Sequence, residues 1–193
     1  MFNMSKIKII FLILFFLIIG FILFYWKYPF VINEKNSEFL KYEKITKKIN
    51  KKNPKSLDEV ENFILKNQNV YGTLTALSLA KKYVLYKNFD KAYIQLKNSL
   101  KYTKEENLKN ILKLNMAKIQ IQKNKNKEAI NILKTIHNHN WDNITENIKG
   151  DIFAIENNKK QALECWKKSF LIEDSNASKE IINMKINELK KSK

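Results

Sequence analysis

The side chains with the widest chemical reach are His137, His139 and Cys165, and there are no other histidines or cysteines. Two histidines spaced as in His137-Asn138-His139-Asn140-Trp141 could begin a metal site, since each neutral imidazole offers a lone pair to a cation. Further ligands would have to converge from elsewhere, and no cysteine pair exists to supply thiolates. The pair therefore reads as the exposed end of a helix. Cys165 has no partner for an intrachain disulfide. Beside Trp166 on a helical pattern it reads as a small buried apolar residue, because a nucleophilic thiolate needs a neighbouring histidine or a helix N-terminus. There is no glycine-rich phosphate loop and no G-x-S-x-G elbow. The residues point away from an enzyme: no catalytic residue, no cofactor and no metal is expected.

Charge offers a second kind of chemistry. The net charge is +17, and all 36 basic residues are lysine. Clustered cations neutralise phosphates, but recognition of phosphates and base edges usually draws on the planar guanidinium fork, which is absent. The lysines are also spread along the whole chain among Asn, Ile and Phe, as solvated helix faces and AT-rich codons would leave them. Aromatic residues such as Tyr71, Tyr83, Phe89, Tyr93 and Phe153 recur at helical spacing among aliphatic ones, so they read as core and not as a stacking platform for bases. No nucleic-acid partner is expected.

The elements that must carry this surface are helices. Three glycines and two prolines leave little material for tight turns or hairpins. Residues 9–26 form a run without charge, nearly all Ile, Leu or Phe, which at about 1.5 Å per residue approaches the ~30 Å hydrocarbon core. A cleavable signal peptide would want a shorter apolar core and a small-residue cutting site, whereas the stretch GFILFYWKYPFVINEK from Gly20 has no Ala or Ser to cut after. Phe24, Tyr25, Trp26 and Tyr28 form the aromatic belt of a retained helix. Lys6 and Lys8 keep the short tail in the cytoplasm, so the following domain crosses the membrane.

Beyond the anchor, Phe39, Tyr42, Ile45 and Ile49 keep helical spacing across residues 33–53, which Pro54 ends. Ser56-Leu57-Asp58-Glu59 and Thr103-Lys104-Glu105-Glu106 read as capping boxes that start new helices. Internal repetition is the most informative pattern. Aligning Ala92, Ala129 and Ala162, a small residue stands twelve positions earlier each time (Ala80, Ala117, Gly150), and a larger one four positions later (Leu96, Leu133, Trp166). The first small residue lets one helix approach its partner, the alanine lets the partner approach back, and the larger residue fills the next layer. Asn-rich turns at Lys87-Asn88-Phe89-Asp90, Lys123-Asn124-Lys125-Asn126 and Glu156-Asn157-Asn158-Lys159 separate the two helices of each unit. Spacing and residue sizes match the tetratricopeptide (TPR) pattern.

In a TPR array the first helices of the units line a concave face. The register places Leu77, Lys81 and Val84 beside Leu114, Lys118 and Ile121, with Asp151 and Ala154 at the corresponding places of the third unit. The expected groove is apolar with a positive stripe ending in one acid, suited to an extended segment or helix with aliphatic anchors and acidic flanks. The helix at residues 33–53 folding back into it is the competing arrangement.

From the anchor to the C-terminus the chain resembles the ancillary subunits of the SecYEG translocon. The resemblance is carried by Asn69-Val70-Tyr71-Gly72-Thr73-Leu74 leading to Leu79-Ala80, by Glu105-Glu106-Asn107-Leu108-Lys109, by Leu114-Asn115-Met116-Ala117, by Trp141, and by Met184-Lys185-Ile186-Asn187. It implies an inner-membrane protein with one anchor and a periplasmic TPR-like domain. The implied partners are the SecYEG translocon and a membrane-anchored periplasmic chaperone of the prolyl-isomerase-like type, with emerging polypeptides passed toward periplasmic folding factors. Eight residues precede Ile9, fewer than the cytoplasmic tail that the family usually carries. The expected organisation is all-α: a cytoplasmic tail (1–8), a transmembrane signal-anchor helix (9–26), a juxtamembrane helix and linker (27–55) and a periplasmic TPR-like α-solenoid (56–193). A structural adaptor in cell-envelope assembly or division is the alternative that such an array leaves open.

Overall fold

The structure, a computed structural model, describes residues 4–49 and 54–191; within its helices the side chains of residues 4–11, 25–36 and 54 lie outside that description. Among the described residues every element is helical: α1 (Met4–Ile49), α2 (Pro54–Lys66), α3 (Val70–Leu85), α4 (Phe89–Tyr102), α5 (Glu106–Gln122), α6 (Asn126–Lys134), a 3-10 turn (His139–Trp141), α7 (Asp142–Ile155), α8 (Lys159–Ile172) and α9 (Asn176–Lys191). α3 pairs with α4, α5 with α6 and α7 with α8, each pair antiparallel across a short turn.

The three turns are copies of one another. Lys87, Asn124 and Asn157, each five residues before an aligned alanine, adopt left-handed backbone with φ of 57°, 56° and 58°. The residue after each donates its amide back to Tyr83, Gln120 and Phe153, and the left-handed residue donates to Val84, Ile121 and Ala154. This is the paired Schellman closure, which satisfies carbonyls that the helix end would leave open. The following helix is capped by Asn88 Oδ1 on the Lys91 amide and by Asn158 Oδ1 on the Gln161 amide, while Lys125 at the equivalent place in the second unit provides no side-chain cap.

Packing divides into three layers. Ile45, Val60, Leu79, Leu96 and Leu112 centre the first, Leu114, Ala129, Leu133 and Ile152 the second, and Ala162, Trp166, Ile182 and Ile186 the third. Ala92, Ala117, Ala129 and Ala162 are wholly buried and Ala80 nearly so. Gly150 is buried against Trp166.

Several boundaries differ from the sequence expectation. The anchor and the juxtamembrane helix are one continuous helix, α1, and Pro54 opens α2, where a first-turn proline forgoes an amide the helix would not have used. The helix after α4 starts beyond Thr103. Thr103 is the C-cap of α4, buried and bonded through Oγ1 to Thr73 at 2.9 Å, and Glu105 caps α5 by accepting the Leu108 amide. The expected anchor extends past the described side chains, which cover residues 12–24 of it; Tyr25, Trp26 and Tyr28 of the aromatic belt lie outside them. Among the described residues no helix is long and apolar enough to cross a membrane. The large apolar side chains of that stretch, from Leu12 to Phe24, are nevertheless all exposed.

Candidate functional site

The first helices of the three units, α3, α5 and α7, line a groove of about 760 Å³. Each contributes one stripe at helical spacing. α3 supplies Leu77, Lys81 and Val84; α5 supplies Ile111, Asn115, Lys118, Ile121 and Gln122; α7 supplies Ile148, Asp151 and Ile155. None of the described residues of α1 lines it; the C-terminal part of α1 packs on α2 and α3 instead, through Ile45 and Ile49.

Leu114 stands elsewhere. It is 6% exposed and packs with Ala129, Leu133 and Ile152 in the second layer. The reason is geometric: α5 has helix neighbours on both sides, and one residue of offset turns a side chain by about 100° around the axis. The groove stripe passes through Asn115, not Leu114, and through Ile148, not the aligned Asn147. Ala154 is likewise absent from the lining, and Ile155 takes that place.

Electrostatics distinguish the two ends of the groove. Lys81 and Lys118 are exposed, and among the described residues neither has an ion-pair partner. Asp151 is the one acid among the lining residues, and its Oδ1 is already engaged. Lys185 Nζ of α9 donates to it at 2.7 Å and the Trp166 indole N–H at 3.0 Å. Lys185 also donates to Asn147 Oδ1 at 2.9 Å and sits 5.7 Å from the centre of the Trp166 ring.

The other chemically capable residues lie away from the groove. His137 and His139 are exposed beside the 3-10 turn, with His139 Nδ1 2.8 Å from Asp142 Oδ2. Among the described residues no three His, Cys, Asp or Glu side chains gather as a metal would require. Cys165 is buried, and burial, helped by Glu146, pushes its thiol up to about 11. Such a thiol is almost wholly protonated at neutral pH and a poor nucleophile.

An apolar groove across the first helices of stacked helix pairs is the working surface of TPR arrays, and relatives place the chain more closely. The tetratricopeptide repeat-like domain family matches residues 3–191. The protein named ancillary SecYEG translocon subunit in Buchnera aphidicola subsp. Acyrthosiphon pisum (strain APS) is 70% identical over 190 residues, 98% of each chain. The chain belongs to the family of ancillary SecYEG translocon subunits. Its relatives of the same name are 56% identical over 98% of each chain in Buchnera aphidicola subsp. Schizaphis graminum (strain Sg), and 30% identical in Escherichia coli (strain K12), over 85% of this chain and 81% of that one. In this translocon-subunit chain, sequence reasoning missed Ile111, Asn115, Ile148 and Ile155. The signal for them was present as the i, i+4, i+7 spacing of 111, 115 and 118 and the i, i+3, i+7 spacing of 148, 151 and 155. Lys185 carried no such signal, because its place beside Asp151 depends on how α9 folds back over α7.

Proposed function

We propose that the protein is a non-enzymatic scaffold, anchored in the inner membrane by residues 9–26, that works at the SecYEG translocon and docks polypeptide in the groove across α3, α5 and α7. The observation that carries this is the 70% identity over 98% of both chains with a protein named ancillary SecYEG translocon subunit. Supporting the anchor, large apolar side chains from Leu12 to Phe24 stand exposed along α1, which water penalises and lipid does not. With Lys6 and Lys8 on the cytoplasmic side, the TPR-like domain lies in the periplasm. There it passes translocated polypeptides to a membrane-anchored prolyl-isomerase-like chaperone.

Detergent solubilisation followed by affinity purification of the full chain tests the reading. Translocon subunits and the chaperone should co-purify, and protease added to spheroplasts should digest the repeat domain while leaving a membrane fragment. Recovery of division or envelope-assembly proteins without the translocon would replace this function with that of a structural adaptor. Protection of the domain from protease would reverse the topology.

A further inference from the structure

We infer that the groove selects an acidic polypeptide segment bearing aliphatic anchors, and that Lys185, which is not among the residues lining the groove, sets this preference by holding Asp151. The inference rests on the reading of the groove as a docking site. Its walls are apolar where Leu77, Val84, Ile111, Ile121, Ile148 and Ile155 meet it, and its volume of about 760 Å³ admits several branched side chains.

Charge fixes the rest of the occupant's chemistry. Lys81 and Lys118 occupy the same register position on α3 and α5, and both line the groove. The third member of that column is Asp151, and left free it would place one negative charge in line with the two positive ones. It is not free. Lys185 Nζ and the Trp166 indole both donate to its Oδ1, so its charge is offset within the protein and the column presents two cations to the groove. Apolar walls lower the local dielectric and focus that field on whatever enters. A segment whose carboxylates flank leucine or isoleucine side chains satisfies walls and column together. A lysine-bearing segment of the same shape is repelled.

The test uses the full chain in neutral detergent micelles at physiological ionic strength, where unrelated surface charges are screened beyond about 8 Å. Fluorescence anisotropy is measured with a short labelled leucine–glutamate peptide, a version with lysine for glutamate, and one with serine for leucine. Only the leucine–glutamate peptide should bind well. Lys81→Glu with Lys118→Glu should weaken it about tenfold or more, whereas Lys97→Glu with Lys134→Glu, the same charge change on α4 and α6, should change affinity less than about twofold. Lys185→Met should weaken binding about two- to fivefold by releasing Asp151, and adding Asp151→Asn should restore it. Should Lys185→Met fold poorly, Lys185→Gln gives the same reading: it keeps most of the side chain's length, removes the charge that offsets Asp151 and should weaken binding likewise, and unchanged affinity there would take Lys185 out of the selection. Equal binding of the lysine peptide, or indifference to the Lys81 and Lys118 reversals, would overturn the charge selection while leaving the docking site in place. If no leucine-bearing peptide bound at all, the docking reading would fall with it.

Discussion

The indole of Trp166 lies against Gly150 with no space for a methyl group between them: a Cβ on Gly150 would stand 2.3 Å from Trp166 Cδ1. The first two units put Ala80 and Ala117 at the glycine's place and Leu96 and Leu133 at the tryptophan's, so the third unit has exchanged a small-and-large pair for a smaller-and-larger one. Gly150→Ala alone should overpack the joint and cost about 1–3 kcal/mol despite the better helix propensity of alanine. Combined with Trp166→Leu, which recreates the pairing of the other units, it should recover part of that loss. Thermal melts of Gly150→Ala, Trp166→Leu and the double variant against wild type decide this, and additive losses would show that the two residues are not size-matched.

Two lysines stand where the neighbouring units use asparagine. Lys87 holds the left-handed position that Asn124 and Asn157 hold in the other turns, and Lys125 holds the helix-capping position of Asn88 and Asn158. Left-handed backbone strains a side chain with an ordinary Cβ and is tolerated by asparagine, and a lysine offers no oxygen to an amide. Lys87→Asn and Lys125→Asn should each raise stability by about 0.5–1 kcal/mol. Denaturant midpoints measure both.

Cys165 should make stability fall in alkaline solution. Burial holds its proton to about pH 11 in the folded chain, against an ordinary value of 9.0 once unfolded. Above pH 9.0 the unfolded chain releases the proton first, so the unfolded state binds fewer protons and gains relative stability as pH rises, until the folded thiol also ionises near 11. The full contribution is present below pH 9.0, and about 2 kcal/mol is lost by pH 11. Lysines begin to discharge in the same range, so the measurement is the difference between wild type and Cys165→Ala, which should shrink or reverse across that window. A constant difference would mean that the thiol is solvated in the folded state.

The repeat units were legible because their signals are local. A buried alanine, its small partner twelve residues earlier and the larger residue four later all lie within one helical hairpin, and each turn announces itself by asparagines. What could not be read needed knowledge of neighbours. Leu114 and Asn115 both suit the inner side of a helix by type, and only the presence of α6 and α7 beside α5 sends the leucine into the second layer and the asparagine to the groove. Thr103 and Glu106 have the spacing of a capping box, yet Thr103 is claimed by Thr73 and by the Ser99 carbonyl, so Glu105 caps the helix instead. The contact of Lys185 with Asp151 joins residues 34 positions apart, beyond any periodic pattern.

The lower boundary of the folded unit lies in α1, not after it. The sequence places the domain start at residue 56, but Ile45 and Ile49 are 9% and 5% exposed, packed in the first layer with Val60 and Ile64. Tyr42 packs on Tyr71 with ring centres 5.5 Å apart and planes tilted by 37°, and Glu38 Oε1 accepts from Asn69 Nδ2, the residue whose other side-chain atom caps α3. The end of α1 thus forms a helix pair with α2 that covers the open side of the first repeat, as terminal capping pairs do in stacked arrays. Burying each isoleucine contributes about 1.5–3 kcal/mol, so removing both takes about 3–6 kcal/mol from a domain whose whole stability is of order 5–15 kcal/mol. A fragment beginning at Ser37 should therefore melt cooperatively, and one beginning at Ser56 should melt far lower or not fold. Circular dichroism melts of the two fragments measure this. Equal melting temperatures would mean that α1 is a tether with no share in the core.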